Sequence, residues 1–175
     1  VQIQWIHSED IEREGPDGLL KTASGIVVPG GFGPRGVEGM IRTAQYAREN
    51  KIPYLGLCLG LQVMVVEFAR NVLGLEHANS SEIDPETPYP VIDIMPDQQS
   101  VTEKGGTMRL GNYPCELLSG TQAQKAYGEH LVHERHRHRF EVNNSFRKSM
   151  ENMGLLAAGA SPDGNLVEIT EVVDH

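Results

Sequence analysis
An α/β fold is predicted: an open, mostly parallel central sheet flanked by helices, with a strand-rich C-terminal part. Three observations carry this prediction. β-branched runs end in glycine loops, apolar stretches of helical spacing alternate with them, and short strand-like segments crowd the region after residue 106. Strand, helix, strand, helix in that order favours parallel pairing, because a parallel neighbour is reached only by a crossover connection. At 175 residues the chain is long enough for one domain with a core, and 1–175 is read as a single domain.

Each element follows in turn. VQIQWI, residues 1–6, alternates apolar and polar side chains and is expected as a strand. SGIVVPGGFG, residues 24–33, is a strand halted by proline and glycine. VEGMIRTAQYAREN, residues 37–50, spaces Val37, Met40, Ile41, Ala44 and Ala47 along one helical face. KIPYLGL, residues 51–57, is the next strand. LQVMVVEFARNVLGL, residues 61–75, is a helix apolar round most of its surface and therefore expected to be buried. From about 76 to 106 the chain turns rich in proline, acids and small polar residues, a surface excursion with a short strand at VIDI, residues 91–94. Strands are expected over 106–117, 137–143, 155–161 and 166–173, with short helices over 121–128 and 145–153.

The bulk composition excludes several classes. A formal net charge of -9 repels nucleic acid and anionic membrane surfaces. No apolar run approaches the ~20 residues of a membrane span, and no signal-peptide pattern opens the chain. Two cysteines, Cys58 and Cys115, suggest no disulfide framework, so a cytoplasmic protein with free thiols is expected.

The chemistry concentrates in IPYLGLCLGLQ, residues 52–62, where a strand breaks into a helix around a cysteine. A residue that attacks a carbonyl must project from a tight strand–turn–helix junction, and small neighbours prevent collision there. Gly56 and Gly60 bracket Cys58 at the spacing of a G-x-S-x-G nucleophile turn. The N–H groups opening the following helix favour a thiolate, and the Leu59 N–H is placed to serve as an oxyanion donor. The glycine loop PGGFG, residues 29–33, ends the neighbouring strand, where the sites of open parallel sheets gather. It carries no G-x-x-x-x-G-K-[ST] phosphate motif.

VPGGFGPRGVEGMI, PYLGLCLGLQ, GGTMRLGNYPCEL, ERHRHRFEVNN and SPDGNLVEI together resemble the glutamine amidotransferase domain of the CTP synthase family. The resemblance spans nearly the whole chain. The glycine loop and cysteine turn are shared with class I glutamine amidotransferases generally, whose fold is flavodoxin-like. It implies a glutaminase in which Cys58 is the nucleophile, Gly31 and Leu59 supply backbone donors, and residues 59–62 (Leu59, Gly60, Leu61, Gln62) line the glutamine pocket. Glu82 and Arg139 match the positions that bind the amino-acid end of glutamine. A carboxylate for the ammonium and a guanidinium for the carboxylate suit such a zwitterion. For a whole enzyme the resemblance implies a synthetase domain in the same polypeptide, ATP, UTP and Mg2+ acting there, GTP as effector, and a homo-oligomer. It implies no cofactor for this domain.

Four histidines, His130, His133, His136 and His138, invite a metal reading. HERH is one residue short of H-E-x-x-H, however, and three arginines interleave with the later pair. On a strand His136 and His138 share one face, and Arg135, Arg137 and Arg139 the other. The family's Q-[FY]-H-P-E motif, which carries its base and orienting glutamate, does not occur in these residues. The chain therefore reads as a fragment with a nucleophile and pocket but no base, and no other histidine is assigned that role. Two alternatives stay open: a catalytically inactive amidotransferase-like binding module, and a cysteine hydrolase cleaving glutamyl peptides.

Overall fold
The computed structural model describes residues 1–94 and 109–175. Residues 95–106 of the expected excursion and the first part of the strand expected over 106–117 lie outside the described residues.

Two short helices open the fold, α1 (Ser8–Glu14) and α2 (Pro16–Leu20). The strand expected over residues 1–6 is absent, and Val1, Ile3 and Trp5 are exposed. Alternation meets only the side-chain requirement of a strand; the backbone also needs a neighbour to pair with, and none of the described strands lies alongside. The missed helices carried their own signals: Glu9 and Asp10 in the first turn of α1, and Pro16 at the start of α2.

The parallel part follows. Strand β1 (Ile26–Val28) pairs in parallel with β2 (Tyr54–Gly56), Ile26 facing Tyr54 and Val28 facing Gly56. Helix α3 (Val37–Asn50) makes the crossover, burying Val37, Ile41, Ala44 and Ala47 along one face. It ends at Lys51, left-handed at φ 55°, just ahead of Ile52 and Pro53. Helix α4 (Leu59–Asn71) buries Val63, Val65, Val66, Phe68 and Ala69. It is apolar on several sides because it packs against β1 and β2 and also against β3 (Ala78–Ser80) and β4 (Tyr89–Ile94). Strands β3 and β4 pair in parallel, so the expected excursion contributes two strands, one of them carrying Pro90.

The rest is antiparallel. Strand β5 (Arg109–Leu117) pairs with β6 (Leu131–His138), setting Arg109 opposite His138 and Gly111 opposite His136. Helix α5 (Gln122–Tyr127) connects them, capped by the Thr121 side chain. After β6 the chain leaves that sheet and enters β7 (Phe140–Val142), which pairs with β4. Helix α6 (Asn144–Asn152), capped by Asn143, leads to β8 (Leu155–Ala160) and β9 (Val167–Val172), which complete the order β6-β5-β8-β9. Arg139 is the single residue between β6 and β7, so it sits where two sheets meet.

Candidate active site
Three of the four walls of the site come from the carboxyl ends of β1, β2 and β3, where an open parallel sheet leaves its backbone groups and loops free to meet a ligand. The loop after β1 brings Gly31 and Phe32, the β2–α4 junction brings Cys58 and Gln62, and the chain after β3 brings Ser81 and Glu82. The β6–β7 junction closes the fourth side with Arg137, His138, Arg139 and Phe140. The cavity they enclose is about 390 Å³.

Cys58 sits at φ 56° and ψ -107°, a conformation that a side chain rarely adopts. Its neighbours explain how the turn is held. A Cβ on Gly56 would lie 2.4 Å from the Gly60 carbonyl oxygen, and a Cβ on Gly60 would lie 2.1 Å from the Val28 carbonyl oxygen. The two glycines let α4 start directly against β1 and β2 while the cysteine projects outward. The Tyr54 hydroxyl donates to the Gly60 carbonyl at 2.8 Å and ties the turn to β2. Gln62 Nε2 donates to the Phe140 carbonyl at 3.0 Å, joining α4 to the opposite wall.

Electrostatics at the sulfur favour the thiolate. The Cys58 thiol is lowered from its ordinary value, chiefly by a hydrogen bond with His138, and burial opposes the shift. The backbone N–H groups of Leu59 and Gly31 add to the lowering. Gly31 is close to Leu59 as well, since a Cβ there would come within 3.2 Å of the Leu59 side chain.

The structure brings Gly31, Gln62, Glu82 and Arg139 together with Cys58. Leu59, Gly60 and Leu61 do not line the cavity, and Leu59 is buried in the core. Gly60 is buried against the Val28 backbone, and Leu61 packs on the core around α4. Arg139 also departs from the strand alternation expected of it: the chain changes sheet there, so its side chain lines the same cavity as His138. The buried Nε of Arg139 has no hydrogen-bond partner among the described residues. A buried guanidinium nitrogen left unpaired is costly, and an anionic ligand group would satisfy it.

His138, to which the sequence reading assigned no role, also lines the cavity. The neighbouring Cys58 sulfur, and then Glu141 Oε1 at 3.6 Å from its Nδ1, push His138 up to about 10. The signal was the alternation of β6, which separates the inward His136 and His138 from the exposed Arg135 and Arg137. What the sequence could not convey is the distance from that strand to the cysteine turn. Among the described residues no group of three or more His, Cys, Asp or Glu side chains is arranged to hold a metal ion, and no helix is long and apolar enough to cross a membrane.

A parallel strand pair that presents a cysteine on a glycine-bracketed turn before a helix is the arrangement of a cysteine-nucleophile α/β fold. The chain belongs to the class-I glutamine amidotransferase family, whose model matches residues 1–174. Among curated relatives it is similar to the CTP synthase of Dehalococcoides mccartyi strain CBDB1, with 61% identity over 175 residues, all of this chain and 32% of the relative. It is similar also to the CTP synthase of Roseiflexus castenholzii, with 62% identity over 176 residues and 32% of that relative. The chain thus spans about a third of the length of these proteins. Among solved structures it resembles the glutaminase domain of Trypanosoma brucei CTPS with bound acivicin, at a TM-score of 0.90 and 37% identity over 98% of this chain and 67% of that one.

Proposed function
We propose that this chain is the glutaminase part of a CTP synthase, hydrolysing glutamine through a thioester on Cys58. The observation that supports the reading is Cys58, on its left-handed, glycine-bracketed turn, lining one cavity with Gln62, Glu82 and Arg139. In this reading the thiolate attacks the γ-carboxamide carbon, and the carbonyl electrons move to oxygen. The Leu59 and Gly31 N–H groups stabilise that oxyanion. Collapse breaks the C–N bond and releases ammonia once the nitrogen is protonated. Water then attacks the thioester carbon, and glutamate leaves as the sulfur is freed. Glu82 receives the substrate ammonium and Arg139 its carboxylate, which gives the unpaired Nε its partner.

The ammonia passes to a synthetase domain of the same polypeptide, where ATP activates UTP and amination gives CTP. ATP, UTP and Mg2+ act in that domain, and GTP modulates the glutaminase. A homo-oligomer formed through the synthetase domain and a cytoplasmic location belong to the same reading. The names of the relatives and the acivicin complex of the structural neighbour support it.

The test uses the full-length protein. Cys58→Ala should abolish CTP formation from glutamine and leave formation from ammonia intact. Retained glutamine-dependent synthesis, or loss of both reactions in a folded variant, would overturn the reading.

A further inference from the structure
Three polar residues in succession, Asn79, Ser80 and Ser81, carry the chain out of β3, and the first two are buried. Their burial follows from an irregularity in the pairing of β3 with β4. Asn79 faces Pro90 and Ser80 faces Ile92, so β4 carries Val91 as an extra residue there. Such a bulge interrupts the ladder and re-aims the chain. The Ser80 N–H is taken by its neighbour's side chain, Asn79 Oδ1, at 2.9 Å. Beyond it the chain turns toward the cavity. Ser80 Oγ accepts from the Glu82 N–H at 3.2 Å, and the Ser80 carbonyl accepts from Ile83 at 3.0 Å and Asp84 at 2.9 Å. The turn holds Glu82 by its backbone, so the direction of the carboxylate follows from the turn.

Ser81 fastens this turn to β4 twice. Its N–H donates to the Ile92 carbonyl at 2.9 Å, and its hydroxyl donates to Asp93 Oδ1 at 2.6 Å. A hydroxyl–carboxylate bond of that length is among the stronger hydrogen bonds of a protein. On the other side of β4, Asp93 pairs with Glu141, and Ile94 pairs with Phe140, the residue after Arg139. The bulge is tied to the same side, since Asn143 donates from its backbone N–H to the Val91 carbonyl and from Nδ2 to the Pro90 carbonyl, each at 2.9 Å. Glu82 and Arg139 are thus both hung from β4, one on each side.

We propose that Asp93, acting through Ser81, is a positioning residue for the ammonium-binding end of the cavity, holding Glu82 in place relative to Arg139. The inference rests on the reading of Glu82 and Arg139 as the pair that binds the amino-acid end of glutamine. A zwitterion with both charges on one carbon is met well only where carboxylate and guanidinium keep a fixed separation, and that requires a braced turn rather than a loose one. Asp93 itself is not among the residues that line the cavity. Its effect on the substrate passes through the Ser81 hydroxyl and the backbone of Glu82.

The experiment uses the full-length protein and steady-state kinetics with glutamine. Asp93→Ala should raise KM for glutamine roughly tenfold, with kcat and ammonia-dependent CTP formation close to the parent's. Asp93→Asn keeps an acceptor oxygen for the Ser81 hydroxyl and should restore most of the loss. Ser81→Ala removes a single oxygen, should reproduce the rise in KM, and carries the test alone if Asp93→Ala does not fold. Combination with Glu82→Ala separates positioning from stability. Because Asp93 and Ser81 act through Glu82, either double variant should lose no more than Glu82→Ala alone. An unmoved KM in folded Ser81→Ala or Asp93→Ala overturns the proposal, and so do losses that multiply in the double variants. Failure of the glutaminase reading is separately visible as retained glutamine-dependent synthesis in Cys58→Ala.

Discussion
The carbonyl oxygen of Val28 occupies the space that a Cβ on Gly60 would need, 2.1 Å from where that atom would stand. The first turn of α4 therefore lies directly on the backbone of β1, and that contact sets the height of Cys58 above the sheet. Gly60→Ala must push helix and strand apart. Overpacking of this kind costs ~1–3 kcal/mol. Urea unfolding should show the loss, and Cys58 labelling should slow in the native protein. A variant as stable and as reactive as the parent would show that the close approach does not set the turn.

The two cysteines should behave as opposites under alkylation. Cys58 is lowered, so its thiolate persists below the ordinary thiol range and labelling is lost only as pH falls through that lowered midpoint. Cys115 is buried and pushed up to about 11 by that burial, so it stays protonated as pH rises past the ordinary thiol value. Peptide mass spectrometry across pH 6 to 9 (roughly the span below and up to an ordinary thiol) should find the label on Cys58. Equal rates at both sites would contradict this.

Much of this was legible in the sequence, and the reasons are local. The strand–turn–helix at Cys58 is written in Gly56 and Gly60, and α3 and α4 follow from apolar spacing. The neighbours Gly31, Glu82 and Arg139 were named through family likeness, since in sequence they are far apart. Residues 1–6 misled because their alternation says nothing about whether a pairing partner exists. That His138 lines the cavity depends on where β6 crosses toward the β2–α4 junction, a relationship between segments that residue spacing does not encode.

The glutamine-binding pair gives a third expectation. Glu82→Ala and Arg139→Ala, in the full-length protein, each remove one charge partner of a bound zwitterion. A desolvated charge-assisted bond is worth ~2–3 kcal/mol, or roughly thirty- to two-hundred-fold in kcat/KM for glutamine. Ammonia-dependent CTP formation should be spared. Unchanged glutamine kinetics in both variants would mean that the pocket lies elsewhere.

A fourth concerns stability away from the site. The Glu67 side chain is 1% exposed on α4, held by Arg48 Nη2 at 2.7 Å and by Arg48 Nε, with Asn71 Nδ2 at 3.1 Å. Arg48→Met strands a buried carboxylate and should cost ~3–5 kcal/mol. Replacing both Arg48 and Glu67 by Met should recover much of that loss. Thermal unfolding of the two variants checks the pair, and a single variant close to the parent would remove the ion pair from the account of how α3 is bound to α4.

The central claim is that Cys58 is the atom that meets the amide carbon of glutamine, and its most direct test is covalent capture. The protein is treated with acivicin, digested, and the modified peptide sequenced by mass spectrometry. One adduct is expected, on Cys58, with labelling slowed by glutamine and abolished in Cys58→Ser. Slower labelling is expected in Arg139→Ala as well, because the probe's amino-acid end loses its anchor. An adduct on another residue, or labelling of Cys58 that glutamine does not slow, would contradict it.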